Sequence, residues 1–184
     1  MDKHPRLNIP ETIETARLVL HRLRYEDADE LFYTYASKPE ATTFVTWPTH
    51  RSILDTRTFL DLAVERWRAG TEYSFSIRTR SHARLIGSFG ILNDQGKVQI
   101  GYVLGPLHWK QGYATEACRK MVEVLSMTPN VYRVGSFVDA ENIASVNVLL
   151  KSGFLEEARL PRWFRFINQG NQAKDCILFR LPQK

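Results

Sequence analysis

The stretch Ile100-Gly101-Tyr102-Val103-Leu104-Gly105-Pro106-Leu107-His108-Trp109-Lys110-Gln111-Gly112-Tyr113-Ala114-Thr115-Glu116-Ala117 decides how this chain is read. Residues 98–104 have the apolar content of a strand, and Gly105-Pro106 stops it. Over residues 112–127 the positions Ala114, Ala117, Cys118, Met121, Val122 and Leu125 recur with the period of one helix face. A strand, a short loop and a glycine opening a helix can together hold a phosphate. The first helical turn has unpaired N–H groups and a positive dipole end, and a glycine lets an anion approach without a Cβ in the way. The glycine alone is weak evidence, since a strand-to-helix turn often needs one for its backbone. Neither Gly-x-Gly-x-x-Gly nor a P-loop occurs, which disfavours ordinary NAD or ATP sites.

Working upstream, Tyr73, Phe75 and Ile77 alternate with Ser74, Ser76 and Arg78, and residues 84–92 read as the next strand. Asn93-Asp94-Gln95-Gly96 is turn chemistry leading into 98–104, so three strands form an antiparallel meander. Before them, residues 52–69 place Leu60, Ala63, Val64 and Trp67 on one helix side with Gly70 as the stop. The pattern breaks at 44–48; a helix over 27–36 and a strand over 17–23 precede it. Downstream come a strand over 132–138, a short helix over 143–152, and strands over 154–160 and 174–181. Strands grouped early and alternating with helices later predict an α+β fold, a mixed and mostly antiparallel sheet with helices on both faces.

With 184 residues, 43% of them hydrophobic, the chain is long enough for a core without disulfide or metal. One domain over 1–184 is expected, with residues 1 to about 14 a loose leader. Met1-Asp2-Lys3-His4-Pro5-Arg6 is not a secretory signal, and no stretch approaches the roughly 20 apolar residues of a membrane span, so a cytoplasmic protein is expected. Cys118 and Cys176 read as buried thiols, and His4, His21, His50, His82 and His108 lack metal-ligand spacing, so no metal is expected. The net charge of +5 and the pI near 9.3 favour an anionic partner. Without a like-charge run or a basic stripe interleaved with aromatics, that partner is not expected to be nucleic acid.

The segment from Ile100 to Ala117 closely resembles the acetyl-CoA-binding motif of the GNAT N-acetyltransferases. Asp139-Ala140-Glu141-Asn142-Ile143-Ala144-Ser145, running on to Lys151-Ser152-Gly153-Phe154, resembles the motif that follows it in that superfamily. Glu14-Thr15-Ala16-Arg17-Leu18-Val19-Leu20 and Leu85-Ile86-Gly87 point to its RimJ/RimL branch, which acetylates the N-terminal amine of ribosomal proteins. The matches span most of 14–181 in the right order, which is more specific than any one motif.

The resemblance implies a splayed sheet in which pantetheine lies along Tyr102, Val103 and Leu104 as an added strand. The amides of Gln111, Gly112, Tyr113, Ala114 and Thr115 would then face the pyrophosphate. Lys110 either adds a point charge or is a solvated loop lysine, and Trp109, where many relatives have Gln or Arg, reads as a packing residue. Acetyl transfer requires a neutral amine, an oxyanion stabiliser and a proton for the departing thiolate. Gln99 stands where relatives often carry Glu, leaving Glu72, Asp94, Asp139 and Asp175 as candidates for a base or water relay, none singled out. The Val103 amide is the expected oxyanion donor. Leu149 takes the position of the usual tyrosine acid, so Ser145 is the candidate acid, with a local helix-end role as its alternative. Asn142 either contacts pantetheine or caps the helix. The clusters Phe44-Val45-Thr46-Trp47 and Trp163-Phe164-Arg165-Phe166 either clamp the acceptor or pack over the sheet edge. The implied partners are acetyl-CoA and an amine acceptor, either a protein N-terminus or a small amine, in a monomer or homodimer. The alternative in another class is a catalytically silent acyl-CoA-binding module.

Overall fold

Alternating apolar and polar residues become strands β1 (Thr12–Glu14), β2 (Leu18–Arg22), β3 (Glu72–Thr79), β4 (Leu85–Asp94), β5 (Lys97–Leu104), β6 (Arg133–Asp139), β7 (Leu155–Phe166) and β8 (Gln172–Arg180). The computed structural model describes residues 6–182. The strands form one sheet in the order β1-β2-β3-β4-β5-β6-β8-β7, antiparallel throughout except for the parallel pair β5 and β6. Between β4 and β5 only Gln95 and Gly96 turn the chain, both at positive φ (52° and 92°), the backbone of a tight hairpin whose twist matches its strands.

The helices are α1 (Ala28–Leu31), which continues as a π-helical turn over Phe32–Ala36, α2 (Pro39–Thr42), α3 (Ile53–Ala69), α4 (Tyr113–Met127) and α5 (Ile143–Lys151). Helix α3 begins where the Asp55 carboxylate reaches back to the backbone N–H groups of Arg51 and Ser52, and stops where Gly70 enters the left-handed region at φ 76°. Ala117, Cys118, Met121 and Leu125 of α4 and Leu149 of α5 pack on Leu18, Leu20, Phe75, Phe89, Ile91 and Ile100 as the larger core. Leu31, Tyr35, Leu60 and Leu85 form a smaller one, against which Val103 packs. Ile100 and Val103, an odd number of residues apart on β5, serve different clusters, because successive strand side chains point to opposite faces. Each fully buried Leu, Ile or Phe contributes about 1.5–3 kcal/mol relative to exposure. The architecture is the α+β arrangement read from the sequence.

Two expectations need correction. Residues 1–5 of the expected leader lie outside the described residues, but the part from Arg6 to Glu14 is not loose: Leu7, Ile9 and Ile13 are buried, and β1 pairs with β2. The Leu7 N–H donates to the Tyr73 hydroxyl at 2.7 Å, and that hydroxyl donates to the Leu7 carbonyl at 3.1 Å. Three spaced apolar residues are too short a pattern to read locally, yet enough once a neighbouring strand is present. Strand β7 also runs on past 160 to Phe166. Pro161 and the positive φ of Arg162 (50°) make an irregularity between Leu160 and Phe164 that reads as a strand end but is spanned by the ladder.

The feature that positions the site is a fork. Strands β5 and β6 pair only from Lys97–Arg133 to Gln99–Gly135 and then part. At the fork the Ser136 hydroxyl donates to the Ile100 carbonyl at 2.9 Å, holding the strands where their ladder ends.

Candidate active site

Beyond the fork, β5 has one edge without a partner strand. Backbone groups alternate along a strand, and the Ser136 bond shows that Ile100 turns its own toward the β6 side. Tyr102 and Leu104 share that phase, and the Leu104 carbonyl accepts the Trp109 indole N–H at 2.9 Å. Gly101, Val103 and Gly105 have the opposite phase, and the Gly105 N–H indeed donates to Ile86 on β4. The expected oxyanion donor Val103 is therefore turned into the β4 ladder; the amides at the open edge are those of Tyr102 and Leu104. Trp109, expected to pack, is 42% exposed and lines the cleft at the far end of that edge.

The turn into α4 is made by Lys110 and Gly112, both at positive φ (59° and 79°). No side chain caps the helix, and the first backbone bond runs from the Glu116 N–H to the Gly112 carbonyl, so the N–H groups of Tyr113, Ala114 and Thr115 face outward. Lys110, Gly112, Tyr113, Ala114 and Thr115 line one large cleft together with Tyr102, Val103, Leu104, Asn142 and Ser145. Gln111, whose backbone amide was expected beside them, is not among the lining residues: its side chain donates to the Leu107 carbonyl and its own carbonyl accepts from Arg17. Arg17 was quoted only within a strand motif, but its Nε donates to Glu116 at 2.6 Å and its guanidinium lies 4.6 Å from the Tyr113 ring centre. Nothing in the local sequence signals that contact.

Across the fork, Asn142 caps α5, its Oδ1 accepting the Ser145 N–H at 3.1 Å, and it also lines the cleft. The Ser145 hydroxyl lies 2.9 Å from the Tyr102 hydroxyl, which also reaches the Ser145 carbonyl at 3.2 Å. Burial pushes the Tyr102 hydroxyl well above its ordinary value, so it stays protonated and can donate. Where the tyrosine donates to Ser145, the serine proton is left for the cleft. Leu149 is fully buried in the core, and Val148 is the neighbour that lines the cleft.

The cleft, of about 2130 Å³, continues over the opposite sheet face. Its floor follows from strand register: Glu72, Leu92 and Gln99 form one cross-strand row, and Ser74, Gly90 and Gly101 the next. A Cβ added at Gly90 or Gly101 meets nothing within 4 Å, so these glycines keep the floor flat. Of the four carboxylates considered as bases, Glu72 lines the cleft, held by Ser74 at 2.9 Å and Arg66 at 2.8 Å. Asp94 pairs with Lys97, Asp139 accepts from Glu141 and Gln169, and Asp175 accepts the Arg162 N–H. Trp47, Phe44 and His50 form part of the wall, with burial lowering the His50 pKa against the opposing pull of Asp55. Of the second aromatic cluster, Phe166 is buried, Phe164 lies against Phe137 with the rings tilted at 47°, and Trp163 points to solvent. From that hairpin Ile167 reaches the cleft, as does Asn168. Its side chain donates to the Thr42 and Trp47 carbonyls and accepts the Thr49 N–H, latching the β7–β8 turn to the loop after α2.

Among the described residues no group of three or more His, Cys, Asp or Glu has metal-holding geometry, and no helix is long and apolar enough to cross a membrane. Residues 17–155 match the model of the acetyltransferase (GNAT) domain. An uncharacterized N-acetyltransferase, p20 of Bacillus licheniformis, is 31% identical over 153 residues, covering 82% of this chain and 85% of that one. RimL, a ribosomal L7/L12 alpha-N-protein acetyltransferase solved with coenzyme A, superposes with a TM-score of 0.83 at 15% identity, covering 92% and 97%. The microcin C7 self-immunity acetyltransferase MccE, solved with acetyl-CoA and AMP, superposes with a TM-score of 0.82 at 18% identity, covering 90% and 92%. With the fork, the uncapped helix and the family match in agreement, this chain belongs to the GNAT acetyltransferases and is an acetyl-CoA-dependent N-acetyltransferase.

Proposed function

We propose that the acceptor is the N-terminal amine of a protein or peptide, and that the acetyl donor lies in the fork between β5 and β6. The observation that carries this reading is the continuity of the cleft, which runs from the α4 N-terminus through the fork to a flat floor ending at Glu72. Small-ligand pockets usually enclose about 300–1,000 Å³, and this cleft exceeds that range, leaving room for a second, extended substrate beside the donor. RimL, whose acceptor is a protein N-terminus, shares the fold and supports the same class.

In this reading the Tyr102 and Leu104 edge pairs with pantetheine, and the amides of Tyr113 to Thr115 hold the pyrophosphate at the positive end of α4. Gly112 keeps a Cβ from that approach, and Lys110 adds charge. A Tyr102 or Leu104 N–H, already fixed in the strand, donates to the thioester oxygen as negative charge develops there. Ser145 gives its hydroxyl proton to the departing thiolate and takes one back from water in the cleft, balancing the proton that the acceptor amine releases. Glu72, which lines the cleft, takes the acceptor's proton through water.

The small-amine alternative is supported by MccE, solved with AMP as well as acetyl-CoA. One assay separates the readings: purified protein with acetyl-CoA is offered N-terminal peptides and a set of small amines, and released CoA thiol is measured. Turnover on peptides with free N-termini but not on N-blocked peptides bearing lysine is the expected result. Turnover confined to small amines replaces the acceptor class, and CoA binding without turnover on any amine makes the chain a silent binding module.

A further inference from the structure

The first turn of α4 contains a contradiction. Glu116 puts a carboxylate at the helix end that must receive a pyrophosphate, and like charges at close range repel. The structure resolves it with the turn between β1 and β2. Both Glu116 oxygens are occupied from that side: Oε1 accepts the Thr15 hydroxyl at 2.6 Å and the Arg17 N–H at 2.8 Å, and Oε2 accepts Arg17 Nε at 2.6 Å. The same guanidinium donates through Nη1 to the Gln111 carbonyl at 3.0 Å and lies over the Tyr113 ring. Arg17 does not line the cleft; it sits behind the loop, with Nη2 3.4 Å from where a Gly112 Cβ would be.

We infer that Arg17 is a positioning residue for donor binding, neutralising Glu116 and clamping the 110–113 turn from behind so that the turn's amides meet a phosphate without a competing negative charge. The inference rests on the reading that CoA phosphates bind at this turn. It assigns Arg17 neither direct contact with CoA nor a part in the acetyl transfer. Two neighbouring observations fit. Burial works to raise the Glu116 carboxyl, but Thr15 and Arg17 outweigh it and hold the group below its ordinary value, so the charge is present and must be matched. Guanidinium rather than ammonium is required, since only a planar fork can serve the carboxylate, the Gln111 carbonyl and the Tyr113 face at once.

The test is CoA affinity by calorimetry in Arg17→Gln, Glu116→Gln and the double variant, with circular dichroism to establish folding. Arg17→Gln leaves a bare carboxylate beside the phosphates and is expected to weaken CoA about tenfold, a deficit that shrinks as salt rises. Glu116→Gln is expected to bind as tightly as the parent or tighter. The double variant, neutral again, returns to within about threefold of the parent. If it stays as weak as Arg17→Gln, Arg17 is a direct phosphate ligand or a purely mechanical strut, and the inference is wrong. Should Arg17→Gln not fold, Glu116→Gln alone decides: weaker CoA binding overturns the charge-matching role, and equal or tighter binding sustains it. A parent protein that binds no CoA overturns the donor-site reading instead, a result separate from these.

Discussion

The two halves of the cleft are built by different means. The donor half is backbone: an unpaired strand edge at Tyr102 and Leu104, then three helix amides at Tyr113 to Thr115, all within 14 consecutive residues. The half proposed for the acceptor is side chains gathered from far apart, with Glu72 on β3, Phe44 and Trp47 in the loop after α2, and Asn168 in the β7–β8 turn, some 120 residues from the Thr42, Trp47 and Thr49 groups it holds. The difference teaches how one frame serves many acceptors. Amides and a helix dipole recognise what every donor shares, a phosphate and an amide chain, while replaceable side chains meet what varies.

The largest expected effect breaks the donor half. Saturating acetyl-CoA raises the melting temperature by about 5–10 °C at a hundredfold excess over Kd, because it binds only the folded state. Gly112→Glu abolishes that shift, since the new carboxylate stands in the phosphate approach and a side chain is strained at φ 79°. Gly112→Ala, with the strain but no charge, keeps part of it. A full shift in folded Gly112→Glu removes this turn from the site.

Next in size is the hydroxyl pair at the boundary of the two halves. Ser145→Ala is expected to cut turnover at least about tenfold with near-normal CoA affinity, toward the range of a lost general acid where water does not substitute. Tyr102→Phe, which leaves Ser145 in place but redirects its proton, costs less. Turnover of Ser145→Ala within about twofold of the parent, with stability lowered, makes Ser145 a helix-end residue only.

A smaller effect sharpens the contrast from the acceptor side. Gly90→Val fills the floor of the groove without touching the donor edge and adds a β-branched residue to a strand position with open space. The acceptor KM is expected to rise about tenfold while CoA affinity and melting temperature hold or improve. An unchanged acceptor KM means that the acceptor does not cross Gly90.

The smallest effect is in stability against pH. Because the folded-state pKa of Glu116 is lowered from 4.5, its contribution is present above that value and is lost as pH falls through the folded value. Acid unfolding of Glu116→Gln, followed by circular dichroism, therefore converges with that of the parent at low pH and differs from it near neutrality. A constant difference at every pH means that the carboxylate's charge plays no part.

The sequence by itself determined the meander, the α4 face and the glycine turn, because each depends on interactions within a few residues: alternation along a strand, the i and i+4 geometry of a helix, the φ of one glycine. It also carried Asn142 and Ser145, adjacent on one turn of α5. Only the tertiary structure decided which way each peptide group of β5 faces, since that phase is set by where β6 lets go, and it turned Val103 away and Tyr102 and Leu104 outward. It likewise took Leu149 into the core, turned the Gln111 side chain to the Leu107 carbonyl and left Glu72 as the one of the four carboxylates that lines the cleft. Arg17 meets Glu116 across 99 residues and Asn168 meets Thr42 across 126. No local pattern encodes such contacts, because a side chain's partner at that separation is fixed by strand order and register, which exist only once the sheet has formed.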